Sequence, residues 1–431
     1  TSAARSGIST FLNLIEPATL DSVEVLRGPA GAQYGSDAIG GSVQFLTPTA
    51  AFSADRLTFR GNYGTLFNTA DASYGSHVNL SAAGKQLAFQ TTLAGRRSNR
   101  LRTGQGIDSH SALTRFLGLP STVLEGSRRD DSAFTQYGGM AKLSWSPAAG
   151  SNLSIAYSRS QQDGGKRTDQ LLGGDGNLIA DLRNLMLDLL YLRFDTTRAG
   201  WMDSLTAIYS FNAQREERVN QGGNGNPAAS INHEYEKTRA HGFQLYSAKQ
   251  LGTRNVMLGG AEYYQEGIDA PSFGENPVSG VITLRRPRVP DNALYRSGGL
   301  YVQDSFQLVP QRLHLIGNLR WSYASYRARE ADSPLVSGLP LWVDDSLRVS
   351  SWTYRAGVIV FPLPGLSFSA NFSRGFRAPN MTDLGTLGLT GTGFEVSAAE
   401  LAGLGATIGS TAGSDAVSTD RPVVQLKPET A

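Results

Sequence analysis

Hydrophobic and polar residues alternate over long stretches of this chain. Between positions 313 and 323, Leu315, Leu319 and Trp321 fall on one face of an extended segment, whereas Asn318 and Arg320 fall on the other. A period of two residues is the pattern of a β-strand whose two faces meet different surroundings. The same alternation recurs at 137–145, 352–360 and 366–377. The pattern therefore predicts an all-β protein.

The links between the predicted strands alternate between short and long. Short links lie near 82–85, 146–152, 197–203, 250–255, 309–312 and 362–365, and long segments lie at 98–132, 161–183, 217–228, 267–293, 328–347 and 378–425. A soluble sandwich of two sheets would show the same alternation within strands, but it has no reason to place every long link at one end. A membrane barrel combines tight turns at one end with long loops at the other. The links thus favour a transmembrane antiparallel β-barrel.

The length and number of the strands fit this interpretation. Most predicted strands have roughly 10 to 15 residues, which is enough to cross a bilayer at a tilt. About 13 strands fit between positions 55 and 377, while single-chain bacterial barrels close with an even number. We therefore expect about 13 strands of a barrel that has about 22, with the remaining strands after Ala431.

Aromatic residues lie near several strand ends, as in the girdles that flank the apolar band of membrane barrels. They are Trp145, Trp201, Trp321, Tyr323, Trp352 and Tyr354. Each one alone is an ordinary strand aromatic, and their shared placement favours the girdle.

The composition removes several other classes of protein. The chain has 431 residues and a formal net charge of +2, so nothing favours a nucleic acid as partner. Cysteine is absent, which excludes a disulfide framework and a thiolate metal site. The five histidines are scattered, and no catalytic triad, metal-ligand spacing or pair of catalytic carboxylates stands out. We expect no enzyme, no cofactor and no metal site.

A glycine-rich segment at 23–47, VEVLRGPAGAQYGSDAIGGSVQFLT, precedes the first predicted barrel strand. It lacks the lysine of a phosphate-binding loop and the G-x-G-x-x-G spacing of a dinucleotide site, and Asp37 would repel a phosphate. Tight turns between short strands explain the glycines better.

The same segment resembles the end of the plug domain of TonB-dependent outer-membrane receptors. That pattern reads roughly I-E-V-L-R-G-P, a few residues, Y-G, and then G-G-V-I-N-I-x-T. The matching residues are Glu24, Val25, Leu26, Arg27, Gly28, Pro29, Tyr34, Gly35, Ala38, Gly40, Gly41 and Thr47.

Two later stretches also resemble this family. YVQDSFQL at 301–308 is similar to one barrel strand, and FSRGFRAPNMTDL at 372–384 with LKPET at 426–430 is similar to a later pair of segments. The residues that carry the likeness are Gln303, Asp304, Phe376, Arg377, Ala378, Pro379, Lys427, Pro428 and Glu429.

The resemblance implies the C-terminal part of a plug domain at 1–50 and the N-terminal portion of a transmembrane barrel at 51–431. It implies a receptor in the bacterial outer membrane, surrounded by lipid and lipopolysaccharide, that imports a scarce and bulky nutrient. The energy would come from TonB, through a segment that this sequence does not contain. The matched plug residues would have structural and gating roles, with Arg27 paired to a carboxylate of the plug or the barrel wall.

A ferric siderophore or another metal chelate is the expected ligand, and haem or cobalamin are alternatives within the family. Haem receptors of one branch carry a histidine between the two later stretches, whereas residues 379–425 contain none. Basic residues in two long links could attract an anionic chelate, and a histidine in the first link could ligate haem iron. These candidate ligand-facing residues are Arg96, Arg97, Arg100, Arg102, His110, Arg285, Arg286 and Arg288. Contact with lipopolysaccharide phosphates or simple solvation would also explain the arginines, and a surface position would explain the histidine.

Three other functions stay open at this point. A passive porin would need an unplugged interior, which the glycine-rich segment argues against. A signalling or attachment protein would use the barrel as an anchor. A non-functional gene remnant would tolerate missing strands.

Overall fold

The computed structural model describes residues 12–28, 30–36, 38–54, 56–102, 131–167, 177–222, 225–336, 338–385 and 426–430. Its strands are β1 (Ser22–Arg27), β2 (Gly41–Leu46), β3 (Thr58–Asn68), β4 (Ser73–Ala83), β5 (Leu87–Ser98), β6 (Phe134–Ala148), β7 (Ser151–Gly164), β8 (Ile179–Ala199), β9 (Met202–Gln221), β10 (Ile231–Leu251), β11 (Asn255–Asp269), β12 (Ser272–Glu275), β13 (Ile282–Leu284), β14 (Leu294–Val309), β15 (Leu313–Ala328), β16 (Leu335–Val336), β17 (Leu339–Pro340), β18 (Asp345–Leu363), β19 (Leu366–Arg374), β20 (Phe376–Arg377) and β21 (Glu429–Thr430). The helices are α1 (Gly31–Tyr34) and α2 (Met381–Gly385), with single 3-10 turns at Pro17–Thr19 and Glu330–Asp332. In this part of the chain, no helix is both long enough and apolar enough to cross a membrane.

Thirteen of these strands form one antiparallel sheet whose order follows the sequence, from β3 at one edge to β19 at the other. The short strands β12 and β13 lie off this path, where β12 pairs with β10. Neighbours in sequence are therefore neighbours in space, as in an up-and-down membrane barrel. The expectation of about 13 strands between positions 55 and 377 is confirmed.

The β3–β4 link, residues 69–72, lies at the same end of the sheet as the long links, and six links of two or three residues lie at the opposite end. These six links comprise residues 84–86, 149–150, 200–201, 252–254, 310–312 and 364–365. The predicted rhythm is confirmed. However, β8, β9 and β10 have 20 or 21 residues, and β8 and β9 extend into the segments 161–183 and 217–228 that were expected to be loops. Strands of this length reach well beyond a hydrocarbon core, even when tilted. In the outer part of β9, seven of the eight residues at 214–221 are polar, so no alternation of apolar and polar residues marks this part of the strand.

The two faces of the sheet are inverted relative to those of a soluble protein. In β15, Leu319 exposes 44% of its surface, whereas its neighbour Arg320 exposes 2%. Asn318 and Ser322, on the side of Arg320, are also buried. Other exposed apolar residues of the outer face include Tyr137, Leu143, Trp145, Phe243, Leu300, Trp352 and Tyr354. An apolar exposed face and a polar buried face are what a bilayer requires of a barrel wall.

Residues 12–47, which we call the inner segment, cover part of the buried face. β1 and β2 form an antiparallel hairpin within it. α1 contacts β15, β18 and β19. Leu14 is completely buried in a cluster with Leu185. The glycine-rich stretch thus forms short strands and turns, as expected, and it packs on the sheet through α1, whereas most residues of β1 are exposed.

A second element covers the same face after the last long strand. The chain leaves β19 at Arg374, and Phe376 enters a buried apolar cluster that includes Tyr326, Met381 and Leu384. The sequence pattern places Phe376 on the apolar outer face, and this prediction is wrong, because the ring is 2% exposed on the inside. Gly375 interrupts the strand, so the period of two does not continue through it.

Candidate functional site

The buried face of the sheet presents an ion pair to the inner segment. Arg320 of β15 donates to Glu262 Oε1 of β11, and its Nε donates to Ser322 Oγ at 2.9 Å. The guanidinium also lies 5.6 Å from the ring centre of Tyr301. A charge that is removed from water requires partners of this kind, and they hold the Arg320 side chain in one position.

Gly35, at the C-terminal end of α1, lies directly against this ion pair. Its φ of +86° and ψ of −159° belong to a region that is open almost only to glycine. A Cβ at this position would lie 2.8 Å from Arg320 Nη2 and 3.2 Å from Glu262 Oε1. The glycine of the Tyr-Gly motif is therefore required both by its backbone conformation and by the close approach of the sheet.

Backbone groups take part in two further contacts of the inner segment, one with the stretch after β20 and one with the sheet. The N–H of Ala378, which follows β20, donates to Ser36 Oγ at 2.9 Å. Gln136 Nε2 of β6 donates to the carbonyl oxygens of Asn13 and Leu14, each at 3.0 Å. The start and the middle of the inner segment are thus both held by hydrogen bonds.

Two basic side chains complete this set of contacts. Arg96 donates through Nε to Gln136 Oε1 at 3.1 Å and so positions the amide that holds the inner segment. Lys142 Nζ donates to Thr49 Oγ1 at 2.6 Å, just after the inner segment ends. A hydrogen bond contributes about 0.5–1.5 kcal/mol net, because water replaces a partner that is lost. Polar contacts of this kind can break during displacement without a large hydrophobic cost.

A cavity of about 770 Å³ lies between the inner segment and the sheet. Its lining includes Tyr34 and Gln44 from the inner segment, and Gln244, Tyr264 and Gln303 from the sheet. Gln44 Nε2 donates to the Tyr34 hydroxyl, and Gln244 Nε2 donates to the Tyr264 hydroxyl. Hydroxyl and amide groups both donate and accept, so the cavity is suited to water or a polar solute.

The two later sequence motifs meet at Arg377. Its Nη1 donates to Glu429 Oε1 at 2.9 Å, and its Nη2 donates to Asp383 Oδ2 at 2.7 Å. β20 pairs with β21 at the same place. Of the other motif residues, Ala378 and Pro379 are buried, Pro428 is half-buried and Lys427 is exposed. The motif residues thus tie two distant stretches of chain together over the buried face.

Gln303 and Asp304 of β14 point to opposite faces of the sheet. Gln303 accepts a hydrogen bond from Asn318 Nδ2 at 3.3 Å and lines the cavity. Asp304 Oδ2 accepts from Asn255 Nδ2 at 3.4 Å, near a short link. Only the first of these motif residues belongs to the interior.

Two charged residues of the matched inner-segment motif, Glu24 and Arg27, are exposed on β1. Arg27 forms no ion pair with any residue in the ranges that the structure describes. The carboxylate partner expected for Arg27 is therefore not found there. Pro29 lies outside the described residues.

The other glycines of the matched motif differ in how close the nearest atoms lie to the position of an added Cβ. A Cβ at Gly41, whose φ is +147°, would overlap the carbonyl oxygen of Leu26 across the hairpin. A Cβ at Gly28 or Gly40 would meet nothing within 4 Å. Close approach thus explains Gly35 and Gly41 only.

Arg96 and Arg97 lie at the end of β5, so the expectation that both belong to the start of a long loop is wrong, and a role in facing the ligand stays a prediction. Arg96 is bonded to Gln136, as described above, and Arg97 Nη1 donates to Thr135 Oγ1 at 2.9 Å. Main-chain pairing with β6 continues to Ser98 and explains the longer strand.

The remaining arginines divide into exposed and packed residues. Arg100 and Arg102 are exposed beyond β5. Arg285 donates to Asn232, and Arg286 Nη2 donates to the carbonyl oxygen of Gly385 at 3.2 Å. Burial lowers the pKa of Arg286. Arg288 is half-buried beside it, and His110 lies outside the described residues.

Several residues of this site were not singled out from the sequence. They are Ser36, Gln136, Lys142 and Glu262. The available signal was their polar character within predicted strands or at a predicted turn. Among the described residues, no group of three or more His, Cys, Asp or Glu side chains is arranged to hold a metal ion.

Two family models match this chain, one for a β-barrel and one for a plug domain. The family model "TonB dependent receptor-like, beta-barrel" matches residues 124–431, and the model "TonB-dependent Receptor Plug Domain" matches residues 2–42. The search of curated proteins gave no significant match.

Several solved structures have a similar fold. The copper transporter OprC is 14% identical with a TM-score of 0.66, covering 85% of this chain and 52% of OprC. The FrpB iron transporter from Neisseria meningitidis (F3-3 variant) is 14% identical with a TM-score of 0.62, covering 86% and 55%. The ferric yersiniabactin uptake receptor FyuA from Yersinia pestis is 18% identical with a TM-score of 0.60, covering 83% and 52%. The chain thus spans about half the length of the solved proteins it resembles.

Proposed function

The chain belongs to the TonB-dependent receptors, a family of outer-membrane β-barrel transporters of Gram-negative bacteria, and on that premise we propose that it imports a metal chelate. A ferric siderophore is the proposed ligand class, with TonB as the source of energy. We also propose that residues 1–50 belong to the plug and residues 51–431 to the barrel. Membership of this family confirms the resemblance found in the sequence and the outer-membrane location.

The observation that carries this proposal is the set of polar contacts that hold the inner segment against the sheet. Gly35 rests against the pair of Arg320 and Glu262, and Ser36 accepts a hydrogen bond from Ala378. These contacts hold an ordered element against the buried face of the sheet. A passive channel would instead need an unplugged interior.

One observation disfavours haem as the ligand. Residues 379–425 contain no histidine that could ligate haem iron. The similar solved proteins include a copper transporter, an iron transporter, a ferric yersiniabactin receptor and a haemophore receptor in complex with haem, so they do not separate these ligands. Arg100 and Arg102, which remain exposed, are the proposed residues for attracting an anionic chelate.

An uptake experiment with the full-length protein tests this proposal. The protein is expressed in a Gram-negative host that lacks its own siderophore receptors, and uptake of ⁵⁵Fe is measured from a panel of ferric siderophores. Haem and cobalamin are assayed in parallel, and a host without TonB is the control. We expect saturable uptake of at least one ferric siderophore that is lost without TonB.

Other outcomes would replace the proposal. Saturable, TonB-dependent uptake of haem or cobalamin alone would retain the transporter and change the ligand. Uptake that neither saturates nor depends on TonB would identify a passive channel.

A further inference from the structure

The cavity between the inner segment and the sheet has a lining without net charge. Among the described residues that border it, the charged ones are Arg193, Glu262 and Arg320. Arg320 donates to Glu262, and Arg193 donates to the two carboxylate oxygens of Asp195 at 2.7 and 2.8 Å. Each of these arginines is therefore matched by a carboxylate. Because an ionic solute would find no compensating charge here, this lining favours an uncharged solute.

Two glutamines offer hydrogen bonds to the cavity from opposite sides. Gln44 belongs to β2 of the inner segment, and Gln244 belongs to β10 of the sheet. Each is oriented by one N–H that it donates to a tyrosine hydroxyl, to Tyr34 from Gln44 and to Tyr264 from Gln244. A primary amide has a second N–H and an acceptor oxygen, so each glutamine can also donate to and accept from a solute. A hydroxyl group of a solute has the same double capacity.

Two tyrosine rings lean along the wall of the cavity because each lies over a glycine. Gly242 of β10 pairs with Tyr264 of β11, and Gly260 of β11 pairs with Tyr301 of β14. An added Cβ would lie 2.6 Å from Tyr264 Cε1 at Gly242 and 2.6 Å from Tyr301 Cζ at Gly260. The glycines thus keep the space in front of the rings open. Aromatic carbon at the edge of this space can pack against apolar C–H groups.

The cavity has the size and the mixed polarity of a small-molecule site. Its volume of about 770 Å³ lies within the usual range of about 300–1,000 Å³. Ser42 and Ser297 add hydroxyl groups to its lining. A saccharide ring has apolar C–H faces and hydroxyl groups around its edge, so it matches a lining of aromatic carbon, amides and hydroxyls.

We propose that this cavity is an internal binding site for an uncharged, hydroxyl-rich solute of the carbohydrate class. Gln44 and Gln244 bind its hydroxyl groups from the two sides, and the rings of Tyr264 and Tyr301 pack against its C–H faces. The site is separate from the exposed arginines that are proposed to attract a chelate. Uptake of a chelate can therefore fail while this site holds, and the reverse is also true.

A binding experiment on the full-length protein tests the site. The protein is purified in an amine-oxide detergent, because a detergent with a sugar headgroup would compete. Maltotriose and cellotriose are the uncharged probes, trigalacturonic acid is the charged comparison, and binding is measured by saturation-transfer NMR. The test variant carries Gln44→Ala and Gln244→Ala together. The matched control carries Gln161→Ala and Gln265→Ala, two glutamines on the outer face of the sheet.

The expected loss follows from the hydrogen bonds. One hydrogen bond corresponds to about two- to twelvefold in affinity, so the test variant should bind the uncharged trisaccharide at least about fivefold more weakly. The control should stay within about twofold of wild type. Trigalacturonic acid should bind wild type at least about tenfold more weakly than the uncharged probe, because its carboxylates find no compensating charge.

Hydrogen exchange of the wild-type protein provides a second measurement that does not depend on the folding of a variant. A solute that is held from both sides stabilises the docking of the inner segment by mass action. At ten times its dissociation constant, the uncharged trisaccharide should slow exchange in the peptides that cover 41–46 about tenfold. The same concentration of trigalacturonic acid should leave that exchange unchanged.

Any of three results would overturn the proposal. The first is the absence of saturable binding of both uncharged trisaccharides. The second is a test variant that binds as tightly as the control, or, if that variant does not fold, exchange in 41–46 that the trisaccharide does not slow. The third is trigalacturonic acid binding as tightly as the uncharged probes.

Discussion

Replacement of Gly35 by alanine tests how closely the inner segment is fitted to the sheet. The backbone at Gly35, with φ +86° and ψ −159°, costs an L-residue about 1–3 kcal/mol. The new methyl group would lie 2.8 Å from Arg320 Nη2 and would displace the buried ion pair, at a cost of about 1–3 kcal/mol. The two terms together weaken the docking of the inner segment by about 2–6 kcal/mol.

Hydrogen exchange measures this docking directly, because local opening exposes the amides of the β1–β2 hairpin. A loss of 2 kcal/mol corresponds to about 30-fold faster exchange, so Gly35→Ala should accelerate exchange in β2 at least about 30-fold. Amides of β5, far from Gly35 in the sheet order, should exchange at the wild-type rate. Mass spectrometry of the peptides that cover 41–46 provides the measurement.

Substitutions of two other glycines of the inner segment distinguish the cost of backbone strain from the cost of steric overlap. Gly28 has a φ of +91° and open space around its ideal Cβ, so Gly28→Ala should show the strain alone. Gly40 has open space and no left-handed φ, so Gly40→Ala should behave as wild type. An exchange rate of β2 amides in Gly35→Ala that lies within about threefold of the rate in Gly40→Ala would refute this reasoning. A threefold ratio corresponds to about 0.6 kcal/mol, which is smaller than either the strain cost or the steric cost.

The remaining predictions concern the ion pair, the apolar cluster and one carboxylate. Arg320→Met should lower the free energy of unfolding by about 3–5 kcal/mol, because Glu262 is left without its cation, and Glu262→Gln added to it should restore most of the loss. Equilibrium urea titrations check this, and a double variant no better than Arg320→Met would count against it. Phe376→Ala should cost about 3–5 kcal/mol in the same assay, and Phe368→Ala clearly less, since Phe376 is 2% exposed and Phe368 is 61% exposed; equal losses would contradict the inward placement of Phe376. The Ser73 hydroxyl and N–H lower the pKa of Asp71 below its ordinary value of 3.8, so this bond stabilises the β3–β4 link fully above pH 3.8 and is lost as the pH falls through the folded pKa. Hydrogen exchange of this link between pH 2 and 6 should therefore depend on pH more in wild type than in Asp71→Asn, and identical profiles would exclude the linkage.

The sequence predicts the barrel strands well where one face of a strand is apolar and the other face is polar. In β15, the alternation of Leu319 and Arg320 is visible in the sequence, and the short links are marked by turns. Strand ends were placed less well, as Arg96 and Arg97 show. Beyond the membrane both faces are polar, and pairing with β6 extends the strand without an apolar signal.

The site itself depends on contacts that sequence alone does not give. The sequence places Arg320 on the polar face of its strand, but Glu262 lies 58 residues away on another strand, so the pair follows only from the register of the sheet. Phe376 was misplaced because the chain departs at Gly375, after the alternation has run through β19. Tertiary packing against Met381 and Leu384 decides where its ring goes.

The central claim is that the apolar face of the sheet meets lipid while the polar face encloses the inner segment. The chain contains no cysteine, so single cysteines can be placed and spin-labelled one at a time along β15. In membranes, labels at Leu315, Leu319 and Tyr323 should be accessible to dissolved oxygen, and labels at Asn318 and Ser322 should be shielded from it. Oxygen accessibility with the opposite phase, or with no period of two, would contradict the account.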